Sequence, residues 1–363
     1  MILCSNPQAQ YVEHKEAIDS AISQVLQSGI YILGPETEAF EQEFAEFTQT
    51  EYCSGVANGT DALLLALKAC DVGEGDEVIT VSLTASATAA AIHQSGAEAV
   101  LVDVDPESYT LDINQLQEKI SSKTKAIIPV HLYGHPAEID AIMNIATKHG
   151  LYVIEDCAQA HGATYNGKQV GSFGDLGCFS FYPTKNLGAI GDGGAVVSSN
   201  RALADKVKLL REYGWKEKFN SSIHGWNSRL DEIQAAILRV KLKKLTHLNK
   251  RRSDLADIYN RKLAGLDLIL PSVQDSCGHV YHLFVIRIND RDRLMRHLRE
   301  QGIQAGIHYP TPLHRQEVYQ SNQDDLKITD AYCKEILSLP MYPELGDNID
   351  TVCSAIIDFY KHK

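Results

Sequence analysis

The sequence predicts an α/β protein built on a mainly parallel sheet covered by helices on both faces. Short, β-branched apolar runs alternate with helical patterns through the first two thirds of the chain. Those runs are apolar on both faces, as strands buried in a parallel sheet are. The last third changes texture, and the chain of 363 residues is long enough for two cores. A large domain over residues 1–250 and a smaller C-terminal α+β domain over 251–363 are expected.

The elements follow in order. Helical patterns cover 12–28 and 36–48, and Thr60 to Ala69 places Leu63, Leu64 and Leu67 on one face with Thr60 as a cap. Buried strands are read at 77–81, 99–102, 126–130 and 152–154, with helices between them at 85–95, 112–121 and 137–149. Two more strands are expected at 176–181 and 194–198. A long helical region from Arg229 to Leu263 carries a stripe of Leu230, Ile233, Ile237 and Val240. Its basic run, Lys241 to Arg252, reads as a solvated face. An antiparallel strand at 281–288, a helix at 290–300, a Pro-rich loop from Gly306 to Leu313 and a closing helix at 350–361 complete the chain.

Bulk properties narrow the function. A hydrophobic fraction of 44% and a charged fraction of 22% are those of a soluble globular protein. The net charge of -13 and a pI near 5.5 argue against nucleic-acid binding, which needs a basic footprint. No apolar run reaches the length of a membrane span, and Met1 to Gln10 has no signal-peptide pattern. The eight cysteines include no C-x-x-C pair, and their scatter through apolar segments fits reduced thiols in a cytoplasm. No Cys/His cluster has metal-ligand spacing, so no metal is expected.

Three loops at predicted strand ends carry chemistry. The first is Val56-Ala57-Asn58-Gly59-Thr60-Asp61, where a strand leads into a helix through Gly and Thr. A helix start of this kind suits a phosphate, and Thr60 as a plain N-cap reads equally well. The second, Val153-Ile154-Glu155-Asp156-Cys157-Ala158-Gln159, ends a buried strand on an acidic pair. An acid there is costly without a partner such as a protonated ring nitrogen. Gln159 can donate to a phenolate-like oxygen, and the bland alternative has Asp156 capping the next turn.

The third loop is Phe179-Ser180-Phe181-Tyr182-Pro183-Thr184-Lys185-Asn186-Leu187-Gly188, followed by Gly191-Asp192-Gly193-Gly194. A lysine among hydroxyls and glycines suits a Schiff base, provided that burial or nearby positive charge partly deprotonates it. Alone it reads as a solvated loop lysine. Together, the acid, amide, hydroxyl, lysine and helix start are what pyridoxal 5′-phosphate requires.

These stretches, with GDEVIT, PVHLYGHPAEID, GWNSRLDEIQAAILRVKL and IHYPTPLH, resemble the DegT/DnrJ family of sugar aminotransferases over about residues 30 to 315. The resemblance implies the fold-type I, aspartate aminotransferase-like architecture. It implies Lys185 as Schiff-base lysine, Asp156 as partner of the pyridine nitrogen and Gln159 as ligand of the ring oxygen. Gly59, Thr60 and Ser180 are implied as phosphate ligands. Asn227 is similar to an asparagine that reaches the phosphate from the other subunit of a homodimer; without the family it reads as a helix N-terminus residue. His308 and Tyr309 of the IHYPTP loop and Arg229 are candidates for the substrate side. Ala85 falls where many members carry an aromatic residue stacked on the cofactor.

Some relatives replace the lysine by histidine and act as dehydratases. Lys185 is retained, so transamination is implied. The expected substrates are L-glutamate and a nucleotide-diphosphate keto-sugar, by resemblance a dTDP-linked 3-keto-6-deoxyhexose. Amination at carbon 4 of a dTDP- or UDP-keto-sugar, or a non-catalytic regulator that binds the cofactor, are the alternatives. A NAD-dependent Rossmann enzyme does not fit, because Gly188 and Gly191 do not open a helix after the first strand.

Overall fold

A computed structural model of the chain describes residues 1–319 and 326–361. Its centre is a seven-stranded sheet. Across the sheet the strands run Tyr52–Val56, Gly194–Ser198, Leu176–Ser180, Tyr152–Asp156, Thr124–Ile128, Glu77–Val81 and Glu98–Val102. Only Gly194–Ser198 is antiparallel to its neighbours. The mainly parallel sheet expected from the doubly apolar runs is present. Cores lie on both faces, one centred on the helix Gly59–Ala69 and another on the helix Ile139–His149. A separate two-stranded sheet pairs Phe284–Arg287 with Ile336–Leu339, and it packs among the helices Leu245–Leu263, Arg291–Glu300 and Asn348–Lys361. The N-terminus joins this group through a bridge of Ile2 to Ile303.

Several sequence expectations change. The long helical region is two helices, Glu232–Leu242 and Leu245–Leu263. In the first, Ala235, Ala236, Ile237 and Leu238 are buried, while Ile233 and Val240 are only half-buried. The helix is covered on more than one side, which a single stripe does not describe. The basic run is not all solvated. Lys241 is buried and donates from Nζ to the Gly188 carbonyl at 2.7 Å. Arg252 is buried and donates to the carbonyls of Tyr281 and Met341 at 3.1 and 2.9 Å. Both cations satisfy buried loop carbonyls, a role invisible to periodicity.

The cap of the helix Pro35–Thr48 comes from far away in sequence. Its own N-cap residue is Gly34, which has no side chain to offer. The buried Glu232 carboxylate fills the gap, accepting from the N–H groups of Gly34, Thr37 and Glu36 at 2.8, 2.8 and 2.9 Å. A carboxylate at a helix N-terminus gains from both hydrogen bonds and the dipole. Glu232→Ala should lower the unfolding free energy by about 2 kcal/mol, since it strands the buried Thr37 N–H and the part-buried N–H groups of Gly34 and Glu36. Urea denaturation followed by circular dichroism checks this; a loss below about 0.5 kcal/mol would mean that water replaces the carboxylate.

Candidate active site

The carboxyl ends of the parallel strands open onto one cavity of about 540 Å³. Gly59, Thr60, Asp156, Gln159, Ser180 and Lys185 all border it, as does Ala85. Three separate strand ends thus deliver six of the residues singled out in the sequence. The reversed strand helps: Gly194 pairs with both Val56 and Ser180, so those two strand ends stay level. Gly59 packs so tightly on Ser180 that a Cβ on it would lie 2.6 Å from the Ser180 Cβ.

Thr60 does not cap the helix Gly59–Ala69. The cap is Asn58, whose side chain accepts from the Asp61 N–H at 2.8 Å. This leaves the Gly59–Thr60 turn facing the cavity as an anion-binding helix start. Asp61 is held by the Ser228 hydroxyl at 2.6 Å, and Ser228 also accepts from the Ala57 N–H at 3.1 Å. Ser228 therefore ties the 227–229 segment to the cavity edge, a link that sequence gave no sign of.

Asp156 is buried at the end of its strand. Oδ1 accepts from the Ala158 N–H at 3.1 Å, the turn-capping bond of the bland reading. Oδ2 accepts from the Thr88 hydroxyl at 2.8 Å. Burial raises the carboxyl pKa above its ordinary value, against the pull of Thr88, Ala158 and Lys185. Burial also pushes the Lys185 amine down to about 8, with Asp156 pulling the other way. The lysine thus holds a much larger neutral fraction near neutral pH than a free lysine does.

The lysine loop is anchored from behind. Asn186 donates to Asn249 Oδ1 at 2.9 Å and to the Val280 carbonyl at 3.0 Å, and its Oδ1 lies 3.3 Å from His282 Nδ1. Lys241 holds Gly188. The glycines serve the loop's own packing more than a ligand. A Cβ on Gly188 would strike the Pro183 carbonyl, and one on Gly193 would press on Leu230 and Phe181.

Gln159 has a fixed orientation. Its Oε1 accepts from the Tyr133 N–H at 2.7 Å, and its Nε2 donates to the Tyr309 hydroxyl at 2.9 Å. Tyr309 thereby keeps its own proton to donate, and burial pushes its pKa up to about 12. Tyr133 takes a left-handed backbone, φ 59°, to present that N–H, and its hydroxyl donates to the His308 carbonyl. His308 Nδ1 lies 2.8 Å from Ser338 Oγ, and burial followed by Lys185 lowers its pKa. His308 and Tyr309 do not border the cavity, and Tyr309 meets its edge through Gln159.

Asn227 and Arg229 do not border the cavity. Asn227 is exposed and bridges through its backbone to Glu212, and the Arg229 guanidinium lies over the Tyr213 ring at 5.8 Å. Ala85 is the N-cap of the helix Ser86–Ser95 and gives it no side-chain bond. Tyr182 is the aromatic residue bordering the cavity among the described residues.

Glu155 finds a partner that the sequence reading missed. His131 Nδ1 accepts from the Ala137 N–H at 2.9 Å, so its Nε2 carries the proton and donates to Glu155 at 3.0 Å. The N–H groups of Gly171, Phe173 and Gly174 add three bonds of 2.8 Å each. Burial raises the Glu155 pKa, yet His131 and these N–H groups outweigh it and hold the carboxyl below its ordinary value. Cys157 lies nearby, but both imidazole nitrogens and the carboxylate are already committed, which leaves no metal ligand set.

Comparison with known proteins agrees with this geometry. The chain is 47% identical over 343 residues to the erythromycin biosynthesis sensory transduction protein EryC1 of Saccharopolyspora erythraea, covering 93% of this chain and 94% of that one. It is 46% identical to the dTDP-3-amino-3,6-dideoxy-alpha-D-galactopyranose transaminase of Aneurinibacillus thermoaerophilus, over 95% and 96% of the two chains. Among solved structures, S. venezuelae DesV in complex with a ketimine intermediate superposes with a TM-score of 0.96 at 42% identity, covering 99% of this chain and 98% of that one. The profile of one family matches residues 12–357, a span that takes in every loop bordering the cavity. The chain belongs to the DegT/DnrJ/EryC1/StrS aminotransferase family.

Proposed function

We propose that this protein aminates carbon 3 of a dTDP-linked 3-keto-6-deoxyhexose, with L-glutamate as amino donor. The coarser statement follows from the family: the chain is a sugar aminotransferase that uses pyridoxal 5′-phosphate. The observation that carries the reading is the meeting of Lys185, its amine pushed down to about 8, with Asp156 in one cavity. The preference for carbon 3 rests on the activity named for the A. thermoaerophilus transaminase, at 46% identity.

The donor set suits the cofactor. Its phosphate would lie against Gly59, Thr60 and Ser180, its ring nitrogen against Asp156, its ring oxygen against Gln159 and its aldehyde against Lys185. Once bound, it supplies an electron-withdrawing ring that takes up the electrons of a breaking C–H bond. Asp156 would hold a proton on the ring nitrogen. Lys185 Nζ would be the base that takes the proton from the donor carbon and hands it back. Tyr309, His308 and Arg229 would serve the sugar nucleotide, with Tyr309 donating from a hydroxyl that Gln159 orients.

Exposed Asn227 would reach the phosphate of a partner subunit. The exposed apolar side chains Ile30, Tyr31, Ile32, Tyr182 and Ile190 support a homodimer. Among the described residues no helix is long and apolar enough to cross a membrane, and a cytoplasmic location belongs to the same proposal. So does the division at residue 250. Along one helix, Leu245 packs with the core around the lysine loop, while Leu255, Tyr259 and Leu263 pack with the C-terminal one.

The test is a panel of dTDP- and UDP-linked 3-keto and 4-keto sugars with glutamate, read by mass spectrometry of the products. The proposal expects turnover with the dTDP-3-keto sugar. Turnover confined to a 4-keto sugar would move the site of amination, and a cofactor band unmoved by glutamate would favour a regulator.

Borohydride reduction of the cofactor-loaded protein should attach the cofactor to Lys185 by a stable bond. Lys185→Ala should lose that adduct and lower kcat by about 10³-fold or more. An adduct persisting in Lys185→Ala would assign another lysine.

The pH dependence has a definite sign. Below about 8 the Lys185 amine is protonated and has no lone pair to attack an aldehyde. The rate at which cofactor-free protein takes up pyridoxal 5′-phosphate should rise with pH and level off above about 8. A midpoint near that of free lysine would refute the role given to burial.

A further inference from the structure

Among the described residues, Asp156 receives one side-chain hydrogen bond, from Thr88 at 2.8 Å. Thr88 is fully buried and lies outside the cavity wall, so it does not touch a ligand there. It stands in the first turn of the helix Ser86–Ser95. A threonine within a helix commonly returns its hydroxyl proton to a carbonyl one turn back. Here that proton goes instead to a carboxylate on the neighbouring strand. A hydroxyl has one proton to give, so in the 3.4 Å contact between Thr88 Oγ1 and Thr84 Oγ1 it is Thr84 that donates. Thr84 borders the cavity. The order is therefore Thr84 to Thr88 to Asp156, each hydroxyl polarising the next.

Burial disfavours the charged carboxylate, and two protein donors oppose it: the Thr88 hydroxyl on Oδ2 and the Ala158 N–H on Oδ1. The Ala158 bond is local, two residues along the chain. Among the described residues, Thr88 alone ties the side chain to another element by a hydrogen bond.

We infer that Thr88 is a positioning residue, which fixes the Asp156 carboxylate toward the cavity and keeps it an acceptor for a protonated ring nitrogen. This rests on the cofactor reading above. It makes a distinction that a packing role does not. If Thr88 acts through Asp156, its hydroxyl matters only for a ligand that carries the ring nitrogen.

The experiment titrates cofactor-free protein with pyridoxal 5′-phosphate and with the analogue in which the ring nitrogen is replaced by carbon. Both aldehydes can react with Lys185, so the two differ at the Asp156 end. Thr88→Val should weaken binding of pyridoxal 5′-phosphate by roughly tenfold, the scale of a hydrogen bond to a charged group. It should leave the affinity for the carbon analogue within about twofold of wild type. Thr88→Ser, which keeps the hydroxyl, should restore the wild-type pattern. Equal weakening of both ligands, or of neither, overturns the inference. If Thr88→Val does not fold, Thr88→Ala compared with Thr88→Ser gives the same ratio. Failure of wild-type protein to bind pyridoxal 5′-phosphate would instead overturn the cofactor reading, so the two failures are separate.

Discussion

Two consecutive carboxylates, both buried, end the strand Tyr152–Asp156, and much of the site follows from the need to satisfy both. Glu155 and Asp156 point to opposite faces of the sheet, as neighbours on a strand must. Glu155 is satisfied inward, by His131 from one adjoining loop and by three N–H groups of residues 171–174 from another. It thereby ties the turn after Thr124–Ile128 to the turn before Leu176–Ser180, the strand that leads to Lys185. Asp156 is left with the cavity side and, among the described residues, only two protein donors. One acid is spent on architecture, which leaves the other available for chemistry. A buried, under-satisfied carboxylate of this kind is tolerated where a ligand completes it.

Much of this was legible in the sequence, and the reason is local. Strand ends, helix starts and the lysine loop are contiguous runs, so Gly59, Thr60, Asp156, Gln159, Ser180 and Lys185 could be found from short stretches alone. Their meeting in one cavity follows from the parallel sheet, which the doubly apolar runs predict. What was not legible is what depends on partners far apart in sequence. Glu232 capping a helix some two hundred residues earlier leaves no periodic trace, and neither does Lys241 reaching Gly188. A lysine on a helix that also carries charged neighbours reads as solvent-facing, because pattern alone does not reveal a buried carbonyl at the end of its stem. Thr60 reads as a cap as well as a phosphate site because Asn58 and Thr60 are both good capping residues, and only the backbone geometry assigns the cap to Asn58.

The aromatic wall expected near Ala85 is a different matter. Ala85 does border the cavity, but it opens a helix and bears no ring. Its small side chain leaves the helix start close to the space that a ring would fill. On that side the pocket is bordered by Thr84, Ala85 and Ala87. Tyr182 supplies an aromatic surface from the lysine loop itself.

The single reversed strand, Gly194–Ser198, bears on how such a protein can diversify. Because it runs against Leu176–Ser180, the connection between them begins and ends at the same edge of the sheet. A parallel successor would have required a crossover back to the far edge. The segment carrying Lys185 is therefore a returning loop whose two ends are pinned, and its interior need not span anything. Exchange of Lys185 leaves the strand pairing on either side of the loop intact. The fold keeps inheritance of the scaffold separate from innovation in the chemistry.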